Sequence, residues 1–275
     1  MTIGRNATAE RLLDSADQLG ECPIWDERVG VLWWVDIHGR AIKCCERESV
    51  RVLPMSEPPG SIALRREGGM LVALQSGVFL LGTEAPKLLV RPAEHVAGLR
   101  FNDGRCDRAG RFWVGTLRDP SFEPEGVLYR IDARGAATAF RTGIRVPNSI
   151  AWSPDGRTMY FADSPHRKIW AFDYDADAGE FGNERLFAAP HPGFPDGSCV
   201  DADGCLWNAE WGASRVVRYT PAGKVDRVVE VPATNPTCCC FGGSDLGTLY
   251  ITSAKGAGLF AATPGVKGLA ESRFG

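Results

Sequence analysis

The sequence predicts an all-β fold, a six-bladed β-propeller, because it contains a sixfold repeat and lacks long helical patterns. A short strand, a turn that contains glycine and a second strand rich in aromatic residues recur six times along the 275 residues. The turn glycines lie about 39 to 48 residues apart, which is the period of a four-stranded propeller blade. Long amphipathic helical stretches are absent. A β-sandwich is the alternative, but it does not explain a repeat of this length.

Each copy of the repeat is typical of a β-hairpin. In chain order the copies span residues 24–35, 62–73, 105–114, 150–161, 198–207 and 239–251. Their turn glycines are Gly30, Gly69, Gly110, Gly156, Gly204 and Gly247. Turns such as Ser153–Gly156 and Asp201–Gly204 place glycine where φ must be positive. A further strand pattern follows the aromatic strand, as at Lys168–Phe172 and Arg215–Tyr219, and fills out the blade.

The six copies are predicted to form one domain over residues 1–275. No linker rich in proline or serine separates them, and stacked repeats of this kind bury one continuous core. The segment Ala9–Ala16 has a weak helical pattern, but it is also compatible with an outer strand. We expect the N-terminal segment, about residues 10–20, to help close the ring of blades.

Composition narrows the class of protein. Apolar residues make up 44% of the chain, and the net charge of −3 leaves no broad basic surface for nucleic acid. No apolar run is long enough to span a membrane, and the polar segment Met1–Gln18 is not typical of a signal peptide. We therefore expect a cytoplasmic protein with a small-molecule partner. A propeller needs no partner to close, which favours a monomer or a weak dimer.

The nine cysteines are predicted to be buried thiols. Their number is odd, their spacing suggests no disulfide framework, and the chain has no CxxC pair of the kind that binds zinc. Cysteine behaves as a small apolar residue in the core of a protein kept in a reducing compartment. This usage agrees with a cytoplasmic location.

Polar residues recur at one position of the repeat, eight or nine residues before the turn glycine, where the first strand begins. In the first five copies the position holds Glu21, Gly60, Asn102, Asn148 and Asp196, and the sixth copy offers Asn235 or Thr237. The innermost strand of each blade lines the central channel, so equivalent positions form a ring around the axis. Two carboxylates and two carboxamides would therefore converge at one mouth of the channel.

Such a ring predicts a divalent cation. Without one, Glu21 and Asp196 would repel each other, and desolvation would raise their pKa values. Oxygen ligands suit hard ions such as Ca²⁺, Mg²⁺ or Mn²⁺. Taken singly, Asn148 and Asp196 each follow a proline and are equally typical of turn formers. It is their coincidence across repeats that indicates a site.

Several motifs, in this order and spacing, resemble the SMP-30/gluconolactonase/LRE-like family. They are Leu19-Gly20-Glu21-Cys22-Pro23-Ile24-Trp25, Arg100-Phe101-Asn102-Asp103-Gly104, Gly115-Thr116-Leu117, Pro147-Asn148-Ser149-Ile150-Ala151-Trp152, Pro195-Asp196-Gly197 and Asn235-Pro236-Thr237. The resemblance extends from about residue 10 to residue 262. It implies a six-bladed propeller that hydrolyses aldonolactones, such as the glucono-, galactono-, arabino- or xylonolactones.

The resemblance also implies a site. Glu21, Asn148 and Asp196 would hold one divalent metal ion, which varies in the family among calcium, zinc, manganese, magnesium and iron. Arg100 and Asn102 would contact the substrate. Family members often have glycine where Cys22 and Ser149 stand here. Animal members carry a substrate-binding glutamate after the Gly115-Thr116-Leu117 motif, and the carboxylates nearest to that place here are Asp119, Glu123 and Glu125.

The expected chemistry is metal-assisted hydrolysis of a lactone. The chain has no Gly-x-Ser-x-Gly motif, and its four histidines share no repeat position, so nothing indicates a serine nucleophile. Asp196 is the best candidate to accept the proton of the attacking water. Three alternatives remain open at this point: a calcium-binding regulatory protein without turnover, a metal-free interaction scaffold, and a hydrolase of aryl esters or organophosphates.

Overall fold

The computed structural model describes residues 7–46, 49–82, 85–189 and 192–275. Within them the chain forms six sheets, antiparallel except for one short parallel edge strand, and one short 3₁₀ helix, Ser164–His166, with no α-helix in these ranges. The innermost strand of each sheet packs against that of the next, and the innermost strand of the sixth packs against that of the first. This closed ring confirms the six-bladed β-propeller.

The strands follow one another in chain order, with four in most blades. Blade one is β3 Gly20–Asp26, β4 Val31–Asp36, β5 Ala41–Glu46 and β6 Ser49–Pro54; blade two is β7 Pro59–Leu64, β8 Met70–Leu74, β9 Gly77–Leu81 and β10 Lys87–Val90; blade three is β11 Leu99–Cys106, β12 Phe112–Arg118, β13 Gly126–Ile131 and β14 Ala137–Ile144. Blade four is β15 Pro147–Trp152, β16 Thr158–Asp163, β17 Ile169–Asp175 and β18 Glu180–Ala188; blade five is β19 Phe194–Val200, β20 Leu206–Trp211, β21 Arg215–Tyr219 and β22 Val225–Glu230; blade six contains β23 Pro236–Gly242, β24 Thr248–Ser253 and β25 Leu259–Ala262.

The N-terminal segment completes the last two sheets. Strand β2, Glu10–Leu13, pairs antiparallel with β25 and is the outer strand of blade six. Strand β1, Ala7–Thr8, pairs in parallel with β22 of blade five. Residues from the two ends of the chain therefore share one sheet, which covers the edge that β25 would otherwise expose. Of the two interpretations of Ala9–Ala16, the strand is the one observed.

The aromatic strands fill the space between blades. Trp34, Trp113 and Trp207 are fully buried in the second strands of three blades. Each indole N–H donates to an aspartate; Trp207 Nε1, for example, lies 2.8 Å from Asp201 Oδ2. A buried indole with its polar atom satisfied packs large apolar area without leaving an orphaned donor.

The turn glycines behave as predicted in five blades and differently in the sixth. Gly30, Gly69, Gly110, Gly156 and Gly204 all have positive φ. Gly247 does not; in that turn Gly243 (φ 85°) and Leu246 (φ 56°) take the left-handed conformation. The extra residues Gly242-Gly243-Ser244 lengthen this hairpin, so the glycine aligned by sequence is not the residue that makes the turn.

The C-terminal tail, residues 263–275, crosses the end of the channel opposite to the starts of the inner strands. Phe274 N donates to Leu64 O at the end of β7, and Gly268 forms a bridge with Asp201 just beyond β19. Glu271 makes an ion pair with Arg105 near the end of β11. The ring residues lie at the other ends of these strands, so their mouth of the channel is the one that the tail leaves open.

The cysteines match the sequence analysis. No disulfide joins the nine cysteines, all of which lie in described residues, and all but Cys45 are buried. In the ranges described, the chain contains no helix of the length and hydropathy needed to cross a membrane. The cytoplasmic location and the monomer or weak dimer stay predictions, and residues 1–6 of the segment Met1–Gln18 lie outside the described residues.

Candidate metal and substrate site

A β-bulge contains or directly follows the ring position in every blade. The pairing register between the first two strands shifts between Glu21 and Ile24, between Asn148 and Ala151, and at the matching place in the other four blades. A bulge re-aims the side chains beside it, here at the end of each inner strand. The repeat position predicted from sequence therefore coincides with a β-bulge in the structure.

The bulge explains a feature of the sequence. Cys22 (φ 47°) and Ser149 (φ 59°), each directly after a candidate ligand, adopt the left-handed conformation that favours glycine. These are the two positions where the resembled family often has glycine. A small side chain is tolerated there, at a cost of order 1–3 kcal/mol in backbone strain.

Four of the six ring positions line a single pocket of about 490 Å³ at the open mouth. They are Glu21, Asn102, Asn148 and Asp196. Gly60 has no side chain to contribute, and no larger residue fits there, because a Cβ would lie 2.3 Å from Phe101 O. In the sixth blade neither Asn235 nor Thr237 lines the pocket; Thr237 Oγ1 donates instead to Gly20 O.

The two acidic ring residues are close enough to perturb each other. Burial raises the pKa of Glu21 to about 8, and the charge of Asp103 acts in the same direction. Burial raises the pKa of Asp196 well above its ordinary range, and the charge of Glu21 raises it further. Asp196 is only 5% exposed. Two carboxyl groups so placed favour either a bound proton or a bound cation.

The donor set fits a hard cation. Two carboxylates and one carboxamide offer only oxygen, the ligand atom that Ca²⁺, Mg²⁺ and Mn²⁺ prefer. The described residues hold no cluster of three or more His, Cys, Asp or Glu side chains suited to a metal. The proposed ligand set has only two side chains of these types, Glu21 and Asp196, and its third member is the carboxamide of Asn148. Three protein ligands at a pocket leave coordination positions for water and substrate.

Hydrogen bonds connect the predicted substrate residues to the predicted ligands. Arg100 Nε lies 2.6 Å from Asp119 Oδ2, and Arg100 Nη1 lies 2.8 Å from Asn102 Oδ1. Asn102 Nδ2 donates to Pro147 O at 2.9 Å and to Asn148 Oδ1 at 3.0 Å. Much of the carboxamide of Asn102 is therefore used within the protein, where it fixes Asn148.

Of the three carboxylates after β12, only Asp119 lines the pocket. Burial acts to raise its pKa, but Arg100 outweighs this and holds the pKa of Asp119 below its ordinary value. His38 Nε2 lies 3.5 Å from the same carboxylate. Glu125 instead pairs with Arg118 at the surface, and Glu123 is exposed.

Sequence reasoning missed several pocket residues. They are His38, Phe122, Ser164, Phe194 and Lys255; Trp211 also lines the pocket. These side chains come from connections at the mouth or from strand ends. His38 and Lys255 occupy equivalent places, each two residues after the residue that pairs with the start of the inner strand. The repeat itself offered a signal for three of them, because His38, Ser164 and Lys255 each lie eight residues after the aligned glycine of their hairpin.

Comparison with known proteins gives a consistent set of similarities. A profile of the SMP-30/Gluconolactonase/LRE-like region matches residues 19–255. A 6-deoxy-6-sulfogluconolactonase of Pseudomonas putida is 40% identical over 91% of this chain and 88% of its own length. An L-arabinolactonase of Azospirillum brasilense is 37% identical over 97% of this chain and 95% of its own. The crystal structure of a calcium-binding protein, regucalcin, from Agrobacterium tumefaciens covers both chains completely with a TM-score of 0.94 at 29% identity.

Proposed function

Because the chain belongs to the SMP-30/gluconolactonase/LRE-like family, we propose that it is a metal-dependent lactonase that opens the ring of a sugar-acid lactone. Curated relatives named as lactonases bear out the enzyme class expected from the sequence. The observation that carries the metal dependence is the convergence of Glu21, Asn148 and Asp196 on one pocket. Their oxygens come from blades one, four and five.

The roles of the ligands follow from their chemistry. Glu21, Asn148 and Asp196 would hold the cation, which would polarise the lactone carbonyl and lower the pKa of a nearby water. We assign to Asp196 the acceptance of the proton of the attacking water, since it is the most buried of the carboxylates that line the pocket. The apolar walls, among them Leu117 and Trp211, limit access of bulk water.

Arg100 is positioned to bind the substrate. Its Nε and Nη1 groups are held by Asp119, Phe101 O and Asn102, which fixes the plane of the guanidinium. Nη2 has no bond of this kind within the described chain and is available to a substrate hydroxyl. Asn102 keeps one lone pair of Oδ1 for a second contact, and Asp119 accepts from a hydroxyl at the rim.

The charges of the pocket favour a lactone that carries an anionic group. A divalent cation would balance Glu21 and Asp196, and Arg100 is already paired with Asp119. Lys255 also lines the pocket and forms no ion pair with any described residue. The P. putida relative is named for a sulfonated gluconolactone and the A. brasilense relative for a neutral arabinolactone. We propose that this chain accepts the anionic class in preference to the neutral one.

One second candidate has an observation in its favour. The regucalcin structure with a TM-score of 0.94 is described as a calcium-binding protein, so the same oxygens would serve a calcium-binding protein without turnover. Hydrolysis of an aryl ester or organophosphate would use the same site. Turnover of a lactone distinguishes the lactonase from both.

Removal of the metal tests the proposal. The protein is stripped with a chelator and assayed by pH change on glucono-, galactono-, arabino- and xylonolactones and on 6-sulfonated gluconolactone, then reassayed after single metals are restored. We expect activity to vanish and return, and Glu21→Gln or Asp196→Asn to lose at least about 100-fold while the circular dichroism spectrum is kept. Full activity of the stripped protein would refute the metal dependence. No turnover of any lactone with any metal would favour the calcium-binding alternative.

A further inference from the structure

Ser164 lies where the fourth and fifth blades meet beside the pocket. It begins the 3₁₀ helix Ser164–His166 directly after β16 and is 7% exposed. Its hydroxyl makes two hydrogen bonds: Oγ donates to Pro195 O at 2.6 Å and lies 2.8 Å from Asn148 Nδ2. The first partner is the residue before Asp196, and the second is the amide ligand.

The chemistry of the hydroxyl determines which way the amide of Asn148 faces. A carbonyl can only accept, so the single proton of Ser164 goes to Pro195 O. Toward Asn148 the hydroxyl is then an acceptor, and it must meet the NH₂ group. The carboxamide oxygen of Asn148 is thereby left facing Asn102 and the pocket.

A second series of hydrogen bonds, through Arg100 and Asn102, fixes the same orientation of the Asn148 carboxamide. The guanidinium of Arg100 can only donate, so it fixes Oδ1 of Asn102 toward itself. The NH₂ group of Asn102 then donates to Pro147 O and to Oδ1 of Asn148. One series of hydrogen bonds ends at the Pro195 carbonyl, which can only accept, and the other at the Arg100 guanidinium, which can only donate. Each series by itself fixes the same orientation of the Asn148 amide.

Orientation matters for only one of the three ligands. Glu21 and Asp196 present oxygen whichever way their carboxylates turn. A carboxamide rotated by half a turn presents two N–H donors, which repel a cation. We propose that Ser164 is a positioning residue that keeps Oδ1 of Asn148 turned toward the metal, an inference that rests on the proposed function.

The expected effect is a loss of metal affinity. Residues that orient a ligand typically contribute 10–100-fold in affinity, so we expect Ser164→Ala to weaken Ca²⁺ or Mn²⁺ binding by about that factor. Ser164→Thr keeps the hydroxyl and should bind close to wild type. Ser253→Ala is the matched control: Ser253 is also buried, sits at the matching end of β24, and donates to the carbonyl of Gly258 without touching a ligand.

A double-mutant cycle separates orientation from packing. In Asn148→Asp the ligand becomes a carboxylate, which needs no orientation. Adding Ser164→Ala to this variant should change the affinity by less than about 2-fold. Affinities come from calorimetric titration of the whole protein with Ca²⁺ and with Mn²⁺, and thermal unfolding confirms that each variant is folded.

The outcomes are distinguishable. Wild-type affinity in Ser164→Ala, or an equal loss in both backgrounds, would overturn the positioning role and leave the metal-dependent lactonase standing. A wild-type protein that binds neither ion would overturn both. If Asn148→Asp itself binds no metal, the comparison of Ser164→Ala with Ser164→Thr decides: equal weakening in the two would contradict the role of the hydroxyl.

Discussion

Glu21 and Asp196 are two like charges held near each other at the mouth of the channel. Burial raises the pKa of both carboxyl groups, and a cation bound between them would favour their ionised forms. The sequence predicted both residues, because the turn glycines bring them into one repeat position. Lys255 and His38 also share a place in the repeat, but whether they line the pocket depends on how the connections fold over it.

Asp196→Asn should stabilise the metal-free protein even as it removes activity. The substitution keeps the shape of the side chain and removes a buried charge that repels Glu21. We expect the melting temperature of the chelated protein to rise by several degrees at pH 8, measured by differential scanning calorimetry. In saturating Ca²⁺ the order should reverse. A chelated variant that melts below chelated wild type would contradict this electrostatic account.

Lys255→Gln should affect anionic lactones alone. Loss of one charge-assisted contact is worth roughly 1.5–3 kcal/mol, which corresponds to a rise in KM of about 10-fold or more. Gluconolactone, which has no anionic group, should keep its KM. The control is Lys267→Gln, a lysine of the C-terminal tail that pairs with Asp245 at the opposite face. Equal effects on both kinds of lactone would remove Lys255 from substrate recognition.

At the scale of elements, the inner strands position the site and the C-terminal tail crosses the far end of the channel. The alternation of strand and turn could be predicted because each hairpin has its own sequence signal. The bulge at the ring position of each blade could not be predicted, since pairing register depends on the partner strand. The same limit applies to the sixth turn, where Leu246 rather than Gly247 has positive φ.

Glu271→Ala should destabilise the fold without altering the metal site. Glu271 is the ion-pair partner of Arg105, which is 8% exposed, and no partner is present for Arg105 Nε within the described chain. Breaking a buried pair from one side costs about 3–5 kcal/mol. Urea denaturation should show a loss of that order, with metal affinity unchanged in the folded protein.

The matched control for Glu271 is Asp245→Ala. Asp245 pairs with Lys267 of the same tail, but both side chains are more than 60% exposed. An exposed pair of this kind contributes about 0–1 kcal/mol. If Glu271→Ala costs no more than Asp245→Ala, the tail does not stabilise the channel through this ion pair.

At the scale of the whole molecule, the ring brings together residues that are far apart along the chain. Six copies of one hairpin sufficed to predict the number of blades, and the N-terminal strand β2 completes the sixth sheet. A cation bound by Glu21, Asn148 and Asp196 would connect three blades and stabilise the folded state by mass action. Because the ring closes, residues at one repeat position come to lie together at one mouth of the channel.

The central claim is that those three side chains share one cation, and anomalous diffraction tests it most directly. Crystals grown with Mn²⁺, and separately with Ca²⁺, should show one strong anomalous peak at the open mouth. The peak should lie about 2.0–2.6 Å from an oxygen of each of Glu21, Asn148 and Asp196. A peak at another place, or a peak that misses any of the three oxygens, would contradict the account.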